Sequence, residues 1–369
     1  TSEALFLNSG FTYDSAEQAE SSFRDETDHF LYSRFSNPTV AQFENRLALL
    51  EGAEACFATA SGMAAMFASV ASLVKSGDRV VAYAAMFSSC YVVLTEILPK
   101  WGINTVLVEE NTPEGWAAAL AEPTKAVFIE SPSNPLMEIT DIRMVSDLAH
   151  KVGATVIVDN VMASPVLQKP LELGADVVMY STTKHIDGQG RVLGGAILGS
   201  QQYITDVVIP FTRHTGPSMS SFNAWVMLKS LETMHMRVER MSSTALTIAE
   251  TFENHPAIEK VSYPFLKSHE GHELAKQQMK GGGSTVAIQF KADKDSVFRF
   301  MNALQVIDIS NNLGDSKSLM THPSSTTHRR LSLEIQAEMG ITPSTVRLSV
   351  GLEHPEDLVR DIETALKAI

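Results

Sequence analysis

The run Asp176-Val177-Val178-Met179-Tyr180-Ser181-Thr182-Thr183-Lys184-His185 is an apolar strand that opens into a hydroxyl cluster and ends on a lysine. Upstream, Ala154-Thr155-Val156-Ile157-Val158 is a second apolar run, closed by Asp159-Asn160. A carboxylate after one strand, with hydroxyls and an amine after the next, is the set of groups that pyridoxal 5'-phosphate (PLP) needs. Lys184 would form the Schiff base, Asp159 would pair with the pyridine nitrogen, and Ser181 and Thr183 would hold the phosphate. Each part alone has a plainer meaning: a Ser-Thr-Thr-Lys turn is also an ordinary exposed loop, and an Asp after a strand is also a helix cap. Together they point to an enzyme of amino-acid chemistry. An amine buried beside a cationic ring has a lowered pKa, so Lys184 is expected to act first as nucleophile and then as base.

Three further stretches suit the same chemistry. Thr59-Ala60-Ser61-Gly62-Met63 leads small residues into an Ala-rich helix. Bare N–H groups at such an N-terminus bind anions, and Gly62 allows close approach, although small residues in a buried helix usually mean tight packing. Tyr32-Ser33-Arg34 offers a guanidinium suited to a phosphate, in a segment poorly placed to fold back on its own domain. Its contact is therefore expected on a neighbouring subunit. In Pro343-Ser344-Thr345-Val346-Arg347-Leu348-Ser349-Val350-Gly351 an arginine sits among apolar residues and needs an anionic partner. A substrate α-carboxylate and a structural ion pair are both open.

These groups need a scaffold. Residues 1–45 are polar and aromatic without sustained periodicity and read as an N-terminal arm. From 46 to about 240, helical stretches alternate with short apolar runs: Arg79–Ala82, Asn104–Val108, Ala126–Ile129, Thr155–Val158, Val177–Tyr180 and Gly195–Leu198. That alternation predicts an α/β large domain with a mostly parallel sheet covered on both faces. Ligands on such sheets sit beyond the carboxyl ends of the strands, where Asp159 and Ser181–Lys184 lie. Phe222, Trp225, Leu228, Leu231, Met234 and Val238 recur at helical spacing and predict a long helix over 222–253 that bridges two domains. Residues 241–369 read as a smaller α+β C-terminal domain, with a strand over 284–290 and a helix over 295–304. Gly281-Gly282-Gly283 lacks a following Lys-Ser/Thr and reads as a strand entry rather than a phosphate loop.

Composition agrees. The chain has 369 residues, 44% of them hydrophobic, enough for a large domain plus a smaller one. A net charge of −14 disfavours nucleic acid and anionic membrane surfaces as partners. The two cysteines, Cys56 and Cys90, form no disulfide framework or metal-ligand pattern, which fits a reducing, cytoplasmic setting. Ala55–Val74 is uncharged and long enough to span a bilayer, but its Ala, Ser, Thr and Gly content predicts a helix buried in the core. No signal peptide is visible, and because the chain opens on Thr1 rather than Met, a longer natural N-terminus is expected.

Taken in order, these motifs resemble the Cys/Met-metabolism PLP enzymes of fold type I. The resemblance runs from Tyr32-Ser33-Arg34 through Ser61-Gly62-Met63, Glu130-Ser131-Pro132-Ser133-Asn134-Pro135, Asp159-Asn160 and Ser181–Lys184 to Arg347–Glu353. It implies a transferase-type fold, PLP as cofactor and an amino-acid substrate. It also implies a homotetramer of two tight dimers with active sites shared across each dimer. Within the family, Thr183–Gly195 and Arg213-His214-Thr215-Gly216-Pro217 are most similar to the O-succinylhomoserine sulfhydrylases. That similarity implies γ-replacement in methionine biosynthesis: succinate leaves Cγ, sulfide adds there, and L-homocysteine results.

The resemblance also assigns roles. Gly62 and Met63 would contact the phosphate, Asn134 the cofactor's phenolic oxygen, and Arg347 and Asn312 the substrate carboxylate. Asn312 stands in Asn311-Asn312-Leu313-Gly314-Asp315, where relatives carry a Ser-Leu-Gly turn, and is expected to supply a backbone donor. Phe87, in Met86-Phe87-Ser88-Ser89-Cys90, stands where most of the family stacks a tyrosine. It lacks the phenol that methionine and cystathionine lyases are thought to use, which counts against a lyase. Cys90 reads as a packed small residue. A succinyl tail needs a cation, for which Arg213, Arg329 and Arg330 are candidates, Arg213 first. The nearest alternative is a cystathionine γ-synthase using L-cysteine. A nicotinamide-dependent dehydrogenase is poorly supported, since no Gly-x-Gly-x-x-Gly opens the first strand–helix turn.

Overall fold

The fold is described from a computed structural model covering residues 1–369. Its larger sheet contains β1 (Ala55–Thr59), β2 (Arg79–Tyr83), β3 (Asn104–Val108), β4 (Ala126–Glu130), β5 (Thr155–Asp159), β6 (Val177–Tyr180) and β7 (Gly195–Gly199), in the order β1-β7-β6-β5-β4-β2-β3. The pairs from β3 to β6 are parallel, whereas β7 runs antiparallel to both β6 and β1. Alternate residues serve opposite faces, the period of a strand. Val80, Ala82, Phe128 and Ile157 pack into one buried cluster, and Val81, Val127, Ile129, Val156 and Val158 into another. A sheet buried on both sides explains why these strands read as continuous apolar runs.

The six expected strands are present, and a seventh was hidden. Ala55–Thr59 opens the uncharged stretch expected to be a buried helix, but it forms β1 against β7. The helix starts only at Gly62, where Ser61 caps it by accepting the Ala64 N–H at 3.1 Å, and runs to Ala71. A helix also begins inside the stretch read as an arm and runs past its end. Asn37 caps it, Pro38 takes its first turn and Gly52 ends it in the left-handed region at φ 85°. This helix, Pro38–Glu51, buries Val40, Phe43 and Leu47 beneath the large sheet.

The long helix is Ser221–Phe252. Its first half, through Ala224, Leu228, Leu231 and Val238, joins the core beneath β6 and β7. Its second half, through Ala245, Ile248 and Phe252, joins the core of a second sheet. That sheet holds β8 (Ile258–Ser262), β9 (Thr285–Phe290), β10 (Asp308–Ile309), β11 (Leu319–Thr321) and β12 (Thr345–Ser349), in the order β10-β11-β12-β9-β8. The helix after β9 is Lys294–Ala303. The glycine run before β9 is structural. A Cβ on Gly282 would fall 2.4 Å from Cζ of Tyr263, whose hydroxyl donates to the Gly283 carbonyl at 3.0 Å. No helix is long and apolar enough to cross a membrane.

Candidate active site

The carboxyl ends of β4, β5 and β6 deliver Glu130, Asp159 and Ser181 to one edge of the large sheet. There they meet Arg347 from β12 in a cavity of about 770 Å³. Lys184, Thr183, Gly62, Met63, Phe87 and Asn134 also line it. Parts of the chain more than two hundred residues apart thus converge as the sequence motifs required.

Asp159 is 6% exposed. Its Oδ1 accepts the Val161 N–H at 3.0 Å, and burial pushes its carboxyl up to about 7 despite that bond. A buried carboxyl without a cation nearby suits a protonated pyridine nitrogen. Lys184 is held at about 8, first by burial and second by the positive charge of Arg347. Its Nζ donates to Oδ1 of Asn312 at 2.6 Å. Arg347 is buried, and burial draws it down to about 10. It donates through one terminal nitrogen to Oδ1 of Asn134 at 2.9 Å, and through the other to the carbonyls of Asn311 and Asn312 at 2.9 and 3.1 Å. Its Nε is buried without a partner, a donor left for an anion. Because Arg347 takes Oδ1 of Asn134, the Nδ2 amide of that residue is the group able to donate to a phenolic oxygen.

Around the phosphate positions the packing is tight. A Cβ on Gly62 would lie 2.4 Å from the Ser181 Cβ and 2.8 Å from its Cα, so only glycine brings this helix N-terminus against Ser181. The Gly62 and Met63 N–H groups, in the first turn of the helix, have no intrahelical partner, and both residues line the cavity with Ser181. Thr183 Oγ1 accepts the Gly194 N–H at 3.1 Å. These groups fit PLP: a phosphate cradle, a buried carboxyl for the ring nitrogen, an amide for the phenolic oxygen and an amine of lowered pKa.

Several residues stand elsewhere than their motifs suggested. Asn312 was expected to offer a backbone donor, but its N–H is spent on Ser310 Oγ at 3.3 Å, and its side chain holds Lys184 instead. Arg213 does not line this cavity; it lies in the helix Ile209–Thr215 with its guanidinium 4.2 Å from the centre of the Phe35 ring. Arg34 flanks the same ring at 4.6 Å, sits 5.5 Å from the Tyr32 ring and donates to the Arg213 carbonyl. Tyr32, Arg34 and Arg213 therefore share one locus outside this chain's own cavity. Arg329 and Arg330 do line the cavity.

Sequence reasoning assigned no role to Glu130, which faces Asp159 in register across β4 and β5. Its Oε2 accepts the Phe87 N–H at 2.7 Å, fixing the backbone that presents the ring. Burial, then the Asp159 charge, pushes the Glu130 carboxyl well above its usual range. The signal was its place at the last position of an apolar strand. His185 was also unassigned. It is buried, lies 3.1 Å from the Val161 carbonyl through Nδ1 and 2.8 Å from Ser284 Oγ through Nε2, and is pushed down to about 4 by burial. It locks the lysine turn to the C-terminal domain in a neutral state. The Cys90 thiol is 2% exposed and pushed up by burial, as a packed residue should be.

The family model for Cys/Met metabolism PLP-dependent enzymes matches residues 1–367. The chain is 53% identical over 370 residues to an O-succinylhomoserine sulfhydrylase of Mycobacterium tuberculosis, covering 99% of this chain and 91% of that protein. It is 44% identical over 367 residues to one of Pseudomonas aeruginosa, covering 100% and 91%. Among solved structures, the cystathionine gamma synthase of Xanthomonas oryzae pv. oryzae superposes with a TM-score of 0.95 at 33% identity, covering 100% of this chain and 93% of that one. With this fold, this cavity and these similarities, the chain belongs to the Cys/Met-metabolism family of PLP-dependent enzymes.

Proposed function

We propose that this enzyme exchanges the succinyl ester of O-succinyl-L-homoserine for sulfide, giving L-homocysteine and succinate. In the balanced reaction a Cγ–O bond breaks, a Cγ–S bond forms, and hydrogen sulfide supplies the proton taken up by the departing carboxylate. The 53% identity to a sulfhydrylase across nearly the whole chain carries this reading. Phe87 supports it against a lyase, since no phenol stands at that position to relay protons.

Bound PLP supplies an electron sink for a carbanion at the substrate Cα. The rest falls to this chain's side chains. Arg347 and its unpaired Nε hold the α-carboxylate and fix the amino acid's orientation. Lys184, with an amine titrating at about 8, removes the Cα proton and returns it. Asn312 Oδ1 aims that amine. With phenylalanine at 87, Lys184 also serves the protons at Cβ. Asp159 keeps the ring nitrogen protonated, and Ser181, Thr183, Gly62 and Met63 take the phosphate. Tyr32, Arg34 and Arg213 serve the cavity of a second copy in a homotetramer built from dimers. A cytoplasmic setting is consistent with the absence of a disulfide framework.

The test is to supply PLP, O-succinyl-L-homoserine and sulfide to wild type and to Lys184→Ala. Wild type should form homocysteine and succinate in equal amounts, and the variant should lose both turnover and the visible-edge absorbance of lysine-bound cofactor. Full activity in the variant would overturn the role of Lys184, and absence of homocysteine from wild type would overturn the reaction.

A further inference from the structure

The cavity carries more positive charge than the amino acid and the cofactor use. Four cationic side chains line it, Lys184, Arg329, Arg330 and Arg347, against the two carboxyls Glu130 and Asp159. Lys184 and Arg347 have roles. Arg329 and Arg330 form no ion pair with any carboxylate of this chain.

The loop that carries them is anchored on both sides. His328, immediately before the pair, is fully buried, with Nδ1 2.9 Å from Thr327 Oγ1 and its N–H donating to the Pro323 carbonyl at 2.9 Å. The buried amide of Gln336 donates to the carbonyls of His328 and Leu331 at 3.1 and 3.0 Å, so both sides of the arginine pair are tied to one side chain. Ser88, next to Phe87, donates its hydroxyl to the Thr327 carbonyl. The anchored backbone brings two exposed, unpaired guanidiniums to the cavity, so that only their own side chains remain to be ordered when an anion binds.

We propose that Arg329 and Arg330 form the acyl subsite, gripping the terminal carboxylate of a dicarboxylic half-ester and making the enzyme prefer succinyl over acetyl esters. This rests on the γ-replacement reading above. The same chemistry, a carboxylate, would also arrive with an amino-acid thiol such as cysteine acting as nucleophile, so the test separates the two sources.

Arg329→Ala, Arg330→Ala and the double variant are compared with wild type on O-succinyl- and O-acetyl-L-homoserine, each with sulfide, and on the acetyl ester with cysteine. The double variant should lose about tenfold or more in kcat/KM on the succinyl ester while the acetyl ester with sulfide changes little. Arg330→Lys should recover part of the loss. Binding of free succinate, read from its perturbation of the bound cofactor's absorbance, should weaken in step and requires no turnover. An unchanged succinyl-to-acetyl ratio, or an equal loss on both esters, overturns the proposal. So does a loss confined to the KM for cysteine, which would assign the arginines to the nucleophile. Should wild type make no homocysteine from either ester, the reaction reading fails, while succinate binding still decides the fate of the arginine pair.

Discussion

Glu130 and Asp159 face each other in register across β4 and β5, so two buried carboxyls stand side by side where the sheet meets the cavity. Each is pushed upward, chiefly by burial, Asp159 to about 7. In PLP-free protein the folded chain retains a proton on Asp159 that the unfolded chain releases near pH 4. Folding stability therefore falls as pH rises from about 4 to about 7, and the penalty is complete above that window. Asp159→Asn should raise the melting temperature of PLP-free protein by a few degrees at pH 8 and change it little at pH 4. The same variant should bind PLP more weakly. A variant less stable than wild type at pH 8 would refute this account of Asp159.

Lys184 makes a complementary case. Burial and the Arg347 charge hold its amine at about 8, so the neutral, nucleophilic fraction grows as pH rises through that value. The rate at which PLP-free protein captures PLP should climb from pH 6 and level off above about 8. Arg347→Gln removes the second cause and should move the midpoint upward. Stopped-flow absorbance across pH measures both; a midpoint unmoved in the variant would show that Arg347 does not act on the amine.

Gly62 tests the phosphate cradle by geometry. An alanine Cβ there would lie 2.8 Å from the Ser181 Cα, a backbone atom that cannot rotate away. The helix N-terminus must therefore move off the strand end, and PLP affinity should drop about tenfold or more. Equilibrium titration of PLP into the variant checks this. Unchanged affinity for Gly62→Ala would remove this helix from the phosphate site.

Much of this was legible because the chemistry sits at strand ends. Asp159, Ser181 and Lys184 follow apolar runs whose limits are sharp, and β3 and β6 fall on the residues their patterns gave. Arg347 was legible as a cation flanked directly by Val346 and Leu348 in its strand. β1 was not, because a short uncharged run such as Ala55–Thr59, leading into an Ala-rich helix, looks alike in either conformation. The helix Pro38–Glu51 was missed although Asn37, Pro38 and Gly52 punctuate it, because the aromatic residues before it hid the change of period. The bond from Lys184 to Asn312 joins residues 128 apart, and only the packing of the second sheet brings them together. The same holds for the arginines. Arg213 follows the resembling loop in sequence, but the path of its helix carries it to Phe35, while the anchored loop after β11 brings Arg329 and Arg330 to the cavity.

The central claim is γ-replacement with sulfide, and the most direct measurement is a competition. PLP-loaded enzyme receives O-succinyl-L-homoserine with sulfide and L-cysteine together, and the products are separated and counted. The account predicts L-homocysteine in large excess over cystathionine, with succinate equal to their sum. Cystathionine in excess would contradict it and make cysteine the nucleophile of this site.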